Sequence, residues 1–393
     1  MRVIGITSGT SFDAVEALLA DFELAGETVA CELVEHRSVP YPAALREAIC
    51  SMLPPAATTA EQVCRLDVVI GQFFGQVAKA LIDKHHGADA VCSHGQTVYH
   101  WVEGPSARGT LQLGQPAWIA ERTGAVVVSD VRNRDIAAGG QGAPLASLLD
   151  AMLFGPKPGT VCGSLNLGGI ANITVAFPER DPIAFDIGPA NALLDAAVGW
   201  LSDGSEQYDR DGAWAARGRV EPGLLGRLLD DPYFALAPPK STGKEHFNLG
   251  YVTSRLGAQT VEAEDLLATL TAATAEMVAA ALVPFGLGEL LVAGGGTRNL
   301  TLMKELRRRL PGPTIRRTDE VGVPEAAKEA LLFALIGFFT LSGVPATIPS
   351  CTGAAGPRVL GSITPGDGAW PGVPVQDGPV PARLVVRSAL PSG

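Results

Sequence analysis

The chain holds 393 residues, 47% of them apolar and 18% charged, with a net charge of -11. That length is too great for one compact core and implies two domains or lobes, and the composition excludes an intrinsically disordered chain. The acidic balance excludes nucleic acid and an anionic membrane surface as main partners, so a small molecule fits better. Six cysteines (Cys31, Cys50, Cys64, Cys92, Cys162, Cys351) are scattered without a CxxC or metal-ligand spacing, as expected of reduced thiols in a cytoplasmic protein. The opening MRVIGITSGTSFD turns acidic too early for a signal peptide. The longest uncharged region, 330–357, reads as a buried helix followed by prolines rather than a membrane span.

In chain order, β-rich runs at 2–7, 15–22 and 28–36 predict an antiparallel meander whose first tip is rich in hydroxyls and backbone donors. That tip, Gly9 to Glu16, is either a phosphate cradle or a plain polar turn. Asp13 could carry a magnesium ion there, since hard cations take oxygen ligands. Helices are expected at 42–53 and 58–84, the second with a capping box from Thr58 to Glu61 and a face of Val63, Leu66, Ile70, Phe73, Val77 and Leu81. A buried strand at 88–92 should deliver Ser93, His94, Gln96 and Thr97 to a ligand crevice at its C-terminal end. His94 could equally be a structural histidine.

A strand and helix follow at 111–122 and another buried strand at 125–129. The glycine-rich stretch after it suits a loop closing over an anion, with Arg132 as a bidentate carboxylate contact or as part of a surface ion-pair cluster. The boundary between lobes is placed here, giving an N-terminal lobe at 1–129, a C-terminal lobe at 130–365 and an extended tail at 366–393. The stretch 162–195 predicts two strands joined at Gly168 and Gly169, a third strand ending at Phe185, and a helix opening near Ala190. Asp186 then projects from a strand end towards that helix N-terminus, either as a reacting carboxylate or as a turn aspartate. The loop 237–244 holds Lys240, Ser241 and Lys244, which either touch phosphate or coat the surface.

A long helix is expected at 264–282, and a strand at 289–292 runs into Gly294, Gly295 and Gly296. Those glycines leave bare backbone for a flat ring or a phosphate, with Asn299 at the next helix start. The last helix, 322–341, carries Glu325 and Glu329 one turn apart.

Together, the GTS tip, the mid-chain glycine hairpin and the late strand-GGG-helix resemble the sugar kinase, Hsp70 and actin superfamily. The blocks GTSFD (9–13), SHGQT (93–97), RDIAAGGQGAP (134–144), NLGGIAN (166–172), FDIGP (185–189), KSTG (240–243) and GGG (294–296) narrow this to the anhydro-N-acetylmuramic acid kinase family. The resemblance covers residues 1 to about 365. It implies an α/β fold of two actin-like lobes, each a mixed sheet flanked by helices, with the active site in the cleft between them. It also implies ATP with Mg²⁺, opening of a 1,6-anhydro bridge with phosphorylation at O6, and a homodimer in the cytoplasm.

By that resemblance Asp186 is the general base. The nucleotide side comprises Gly9, Thr10, Ser11, Phe12, Asp13, Ala14, Val15, Glu16, Gly168, Gly169, Asn172, Gly294, Gly295, Gly296 and Asn299. The sugar side comprises Ser93, His94, Gln96, Thr97, Arg132 and Glu329. Two blocks depart from the family pattern: Ala14 and Glu16 stand where Gly and Asp are usual, and Ala190 where Gly is usual. A kinase for another anhydro sugar such as levoglucosan, and a non-catalytic nucleotide-binding scaffold, are the competing readings.

Overall fold

The computed structural model describes residues 1–9, 12–104, 106–238, 240–368, 372–373 and 378–390. Contacts divide the chain into two units, residues 1–156 with 321–393, and residues 157–320. The first unit begins with β1 (Arg2–Ser8), β2 (Ala14–Ala25), β3 (Thr28–Pro40), α1 (Ala43–Met52), α2 (Ala60–His85), β4 (Ala90–Glu103), β5 (Ser106–Leu113), α3 (Pro116–Thr123), β6 (Val126–Ser129), α4 (Asn133–Ala137) and α5 (Ala146–Phe154). The second holds β7 (Cys162–Leu167), β8 (Ile170–Ala176), β9 (Ile183–Pro189), α6 (Asn191–Leu201), α7 (Ala213–Arg217), α8 (Pro222–Leu229), α9 (Leu249–Leu256), α10 (Ala263–Leu282), β10 (Glu289–Ala293), α11 (Leu300–Arg309) and β11 (Thr314–Arg317). The chain then returns to the first unit as α12 (Lys328–Leu341), α13 (Pro349–Thr352), β12 (Ser362–Thr364) and β13 (Arg383–Ser388).

In the first unit the described strands form one mixed sheet in the order β12-β6-β4-β1-β2-β3-β13, with β5 paired to β4. The expected meander is present: β2 is antiparallel to both β1 and β3. Alternation along β1 splits the core, since successive side chains of a strand face opposite ways. Val3 packs into the cluster containing α12, while Ile4 and Ile6 pack with α1 and α2 on the other side. α12 lies close to the sheet because each contributes a glycine to the contact, Gly5 from β1 and Gly337 from α12 itself. A β-carbon on Gly5 would stand 1.9 Å from the Ala330 carbonyl oxygen, and one on Gly337 would stand 2.6 Å from Cβ of Cys92.

In the second unit the order is β11-β10-β7-β8-β9, so β9 is an edge. Leu165, Leu167, Ile173, Val175, Phe185 and Ile187 point to the face covered by α10 and α11. Residues of the opposite parity, Asn166, Asn172 and Asp186, lie side by side on the other face, because Asn172 is in register with both of the others. The helix α10 is long and apolar, and 78% of its apolar window is buried within the protein.

Several expectations are corrected. The boundaries fall at 156/157 and 320/321 rather than at 129/130 and 365/366, because α12 packs on β1, β2 and β4 of the N-terminal sheet. The C-terminal stretch is not all tail: β12 pairs with β6, and β13 adds a parallel strand beside β3. β4 does not stop at Cys92 but runs to Glu103, bulging at Gly95 (φ 76°), where His94 and Gly95 together oppose Thr7. β9 runs past Asp186 to Pro189, placing that carboxylate inside a strand. The capping box of α2 is formed by Thr59 and Gln62, one residue later than expected.

Gly5→Ala should cost about 3 kcal/mol or more, because the atoms met are backbone and cannot rotate away. Gly109→Ala, whose β-carbon would meet only the Trp101 ring at 3.7 Å, is the control. Denaturant midpoints of the two variants check this, and equal midpoints would contradict the close approach of α12.

Candidate active site

The residues singled out by sequence gather in two groups, one in each unit. In the first unit the turn between β1 and β2 is described at Gly9, Phe12 and Asp13; Thr10 and Ser11 lie outside the described residues. The Gly9 carbonyl accepts from Phe12 N at 3.3 Å and from Gln96 Nε2 at 3.3 Å. Gln96 is fully buried and its Oε1 accepts from the Tyr41 hydroxyl, so its amide is spent on holding the turn. Asp13 is exposed, and Arg46 Nη2 lies 3.2 Å from its Oδ1. Ala14, Val15 and Glu16 belong to β2 rather than to the turn. Val15 is buried in the core, and the Glu16 carboxylate is taken up by His36 Nε2 at 2.7 Å and Ser38 Oγ at 2.6 Å.

His94 is buried and stacks on Phe333, ring centroids 4.4 Å apart. Both its ring nitrogens have partners: Arg132 Nε donates to Nε2 at 2.8 Å, and Nδ1 lies 3.3 Å from Thr7 Oγ1. A guanidinium can only donate, so Nε2 must present its lone pair and the proton sits on Nδ1. Burial and the adjacent Arg132 charge hold the His94 pKa well below its ordinary value. His94 therefore orients Arg132. Arg132 also donates from Nη1 to the Gly142 carbonyl at 2.6 Å, which leaves Nη2 unbonded among the described residues.

Burial lowers the Arg132 pKa, and the nearby carboxyls of Glu329, on α12, and Asp135 oppose that fall. Its own carboxyl is pushed up, chiefly by burial, while Arg132 pulls it down. Thr97 Oγ1 accepts from Gln112 Nε2 at 3.2 Å. The Ser93 hydroxyl is buried without a partner among the described residues, and Ser93 and His94 border a recess of about 670 Å³ with Gln112, Asp130 and Asn133.

The glycine-rich loop after α4 closes over an anion that belongs to the chain itself. The fully buried Asp135 accepts from Gly142 N at 2.8 Å and from Thr352 Oγ1 at 2.7 Å. Gly140 passes so near that a β-carbon would lie 2.2 Å from Asp135 Oδ2.

In the second unit, Asp186 sits in the polar row with Asn172 and Asn166. Its Oδ2 accepts from Ser241 Oγ at 2.9 Å and from Thr242 N at 3.0 Å. Oδ1 has no partner among the described residues. Burial pushes its carboxyl above the ordinary range, the Thr242 amide and Ser241 hydroxyl pull it back, and Glu245 adds to the rise. Neither the phosphate reading nor the surface reading of Ser241 anticipates this contact, and nothing singles out Thr242, because neither has a signal linking it to a residue 55 or 56 positions away. Lys240 is a clamp rather than a free cation: Nζ donates to the carbonyls of Tyr233 and Phe234.

Gly168 and Gly169 form the turn of the β7–β8 hairpin, and their carbonyls accept from the amides of Ala190, Asn191 and Ala192. The first amides of α6 are thereby consumed, so this helix start does not offer them to an anion as expected. Ala190 is fully buried there, so its methyl group is accommodated. Lys244 arches over the turn, with Cε 2.8 Å from where a Gly169 β-carbon would be.

Gly294 (φ 89°) and Gly296 fit against Leu167, where β-carbons would approach to 2.7 Å. Asn299 caps α11 through Leu302 N at 2.9 Å. Gly295 and Asn299 line a pocket of about 450 Å³ with Asn191, Asp195, Tyr208 and Arg298. Asp195, unnoticed in the sequence, is pushed up to about 6 by burial, with Lys244 pulling it down.

The anhydro-N-acetylmuramic acid kinase family model matches residues 1–366. The chain belongs to that family. Its relatives include the anhydro-N-acetylmuramic acid kinase of Streptomyces coelicolor, 55% identical over 369 residues, which span 93% of this chain and 94% of the relative. The enzymes of that name from Streptomyces avermitilis and Rhodococcus erythropolis are 52% and 48% identical, over 98% and 94% of this chain and 100% and 96% of theirs.

The ring of His94 should stay neutral from about pH 5 to about pH 8, since protonation would put two donors face to face. Imidazole ¹⁵N shifts measured across that range test this, and a titration within it would contradict the Arg132 contact.

Proposed function

We propose that this chain opens the 1,6-anhydro bridge of 1,6-anhydro-N-acetylmuramic acid with water and phosphorylates O6 from ATP, as part of cell-wall recycling. The observation that carries the assignment of the base is Asp186, a half-buried carboxylate with one oxygen held and the other open, and with its pKa raised. A general base works best when its proton affinity is drawn towards the operating pH, which is the direction burial moves this group. Oδ1 takes a proton from water as the water oxygen bonds to C1. The C1–O6 bond breaks with its electrons going to O6, and O6 then bonds to the γ-phosphorus as the bond to the β,γ-bridging oxygen breaks and ADP leaves. The proton on Asp186 passes to solvent.

The nucleoside would occupy the pocket beside Gly295 and Asn299, whose volume is in the range of small-molecule sites. Lys244, over the Gly169 turn, is a cation suited to the phosphates. Asn172 shares the polar row with Asp186, and the Gly9 turn supplies further backbone. A magnesium ion fits Asp13, because an ion held mostly by phosphate oxygens and water needs only one or two carboxylates, and Oδ2 is free of Arg46. Such an ion would neutralise charge on the phosphates. The Arg132 guanidinium, fixed by His94 and Gly142, keeps Nη2 for the lactyl carboxylate, while Glu329, Ser93 and Thr97 would meet the rest of the sugar. Six free cysteines agree with a cytoplasmic setting, and a homodimer completes the reading.

Asp186→Asn should lower sugar-dependent ADP release by about 10²-fold to 10⁴-fold while ATP still binds, as for loss of a general base. Unchanged turnover would remove the base assignment, and ADP release that ignores the anhydro sugar would indicate a scaffold. Arg132→Ala should raise KM for the muramic substrate far more than for levoglucosan, which lacks the lactyl group; equal losses would favour the broader sugar specificity.

A further inference from the structure

An edge strand presents unpaired backbone groups that must be satisfied by something other than a neighbouring strand. β9 is such an edge, and the segment that covers it is the loop at 240–242. Asp186 N donates to the Lys240 carbonyl at 3.0 Å, and the Asp186 carbonyl accepts from the Tyr233 hydroxyl at 2.7 Å. The loop is itself tied down, because Lys240 Nζ bonds back to the carbonyls of Tyr233 and Phe234 and lies 4.7 Å from the centre of the Tyr233 ring. Amide and carboxylate of one residue are thus held by a single short segment. Both donors to the carboxylate, Ser241 Oγ and Thr242 N, converge on Oδ2. None of the described residues bonds Oδ1.

We propose that Ser241 and the Thr242 amide are the positioning groups of the base: by occupying Oδ2 they assign proton abstraction to Oδ1 and keep the carboxylate ionised in its half-buried site. The inference rests on the assignment of Asp186 as base. Two donors on one oxygen concentrate negative charge there and fix the rotation of the carboxylate plane, so Oδ1 presents a lone pair in a constant direction. Those donors also oppose the effect of burial, which favours the protonated, inactive form. Ser241 is exposed, so removing its hydroxyl opens no cavity. Its loss acts on the carboxylate.

The test compares Ser241→Ala, Ser241→Thr and Asp186→Asn in the full chain, with kcat/KM for the anhydro sugar measured against pH at saturating ATP and magnesium. In Ser241→Ala the acid limb should move to higher pH, so that activity on that limb falls roughly 3- to 10-fold more than on the plateau, up to one unit of proton affinity. Ser241→Thr, which keeps a hydroxyl, should return the limb to its original place. An unmoved limb in Ser241→Ala overturns the proposal, as does total loss in both Ser241 variants, since the Thr242 amide would still hold Oδ2. If Asp186→Asn keeps sugar-dependent turnover, the base assignment falls first. An inactive Asp186→Asn with an unmoved Ser241→Ala limb removes the positioning role alone.

Discussion

A carboxylate in the middle of an edge strand has two conflicting needs, to be shielded enough that its proton affinity rises and to keep an oxygen open for work. At Asp186 both are met by one covering loop, which takes the strand's free amide and one carboxylate oxygen and leaves the other. The rest of the second unit is arranged around that contact. Register across β7, β8 and β9 lines up Asn166, Asn172 and Asp186, and the glycine turn beside them ties the hairpin to the start of α6. A slip of one residue in β9 would send the carboxylate into the apolar face under α10.

The first unit uses the same economy with the opposite charge. Arg132 is fixed by a neutral histidine and a carbonyl, neither of which cancels its charge. A carboxylate in their place would hold the guanidinium as firmly but would compete with an anionic ligand. Of the two carboxyls near enough to act on it, Glu329 and Asp135, Glu329 is itself drawn towards its neutral form by burial.

Much of this was legible in the residues. Alternating apolar runs gave the β1–β2–β3 meander, and the glycine pair gave the β7–β8 turn, because these are local signals. The third strand of that stretch is expected to end at Phe185, yet proline is tolerated on an edge strand, and β9 runs on through Gly188 to Pro189 there. SHGQT read as a strand end because it is polar; the Gly95 bulge lets β4 continue through it. The glycines of three motifs suggest room for a ligand, but several make room for the chain itself, Gly140 for Asp135 and Gly294 and Gly296 for Leu167. What no pattern announces is a partner far along the chain: Thr352 on Asp135, Ser241 on Asp186, and α12 on the N-terminal sheet.

That last partner has a consequence during synthesis. The N-terminal strands leave the ribosome long before α12, which must cover Val3, Leu18 and Cys92, and residues 157–320 are made in between. At translation rates of ~5–20 residues per second the wait is on the order of ten to thirty seconds. Throughout it one flank of the nascent sheet lacks its main cover, α12. The insertion of a whole unit between a sheet and its covering helix therefore leaves the core of the first unit incomplete until α12 has emerged.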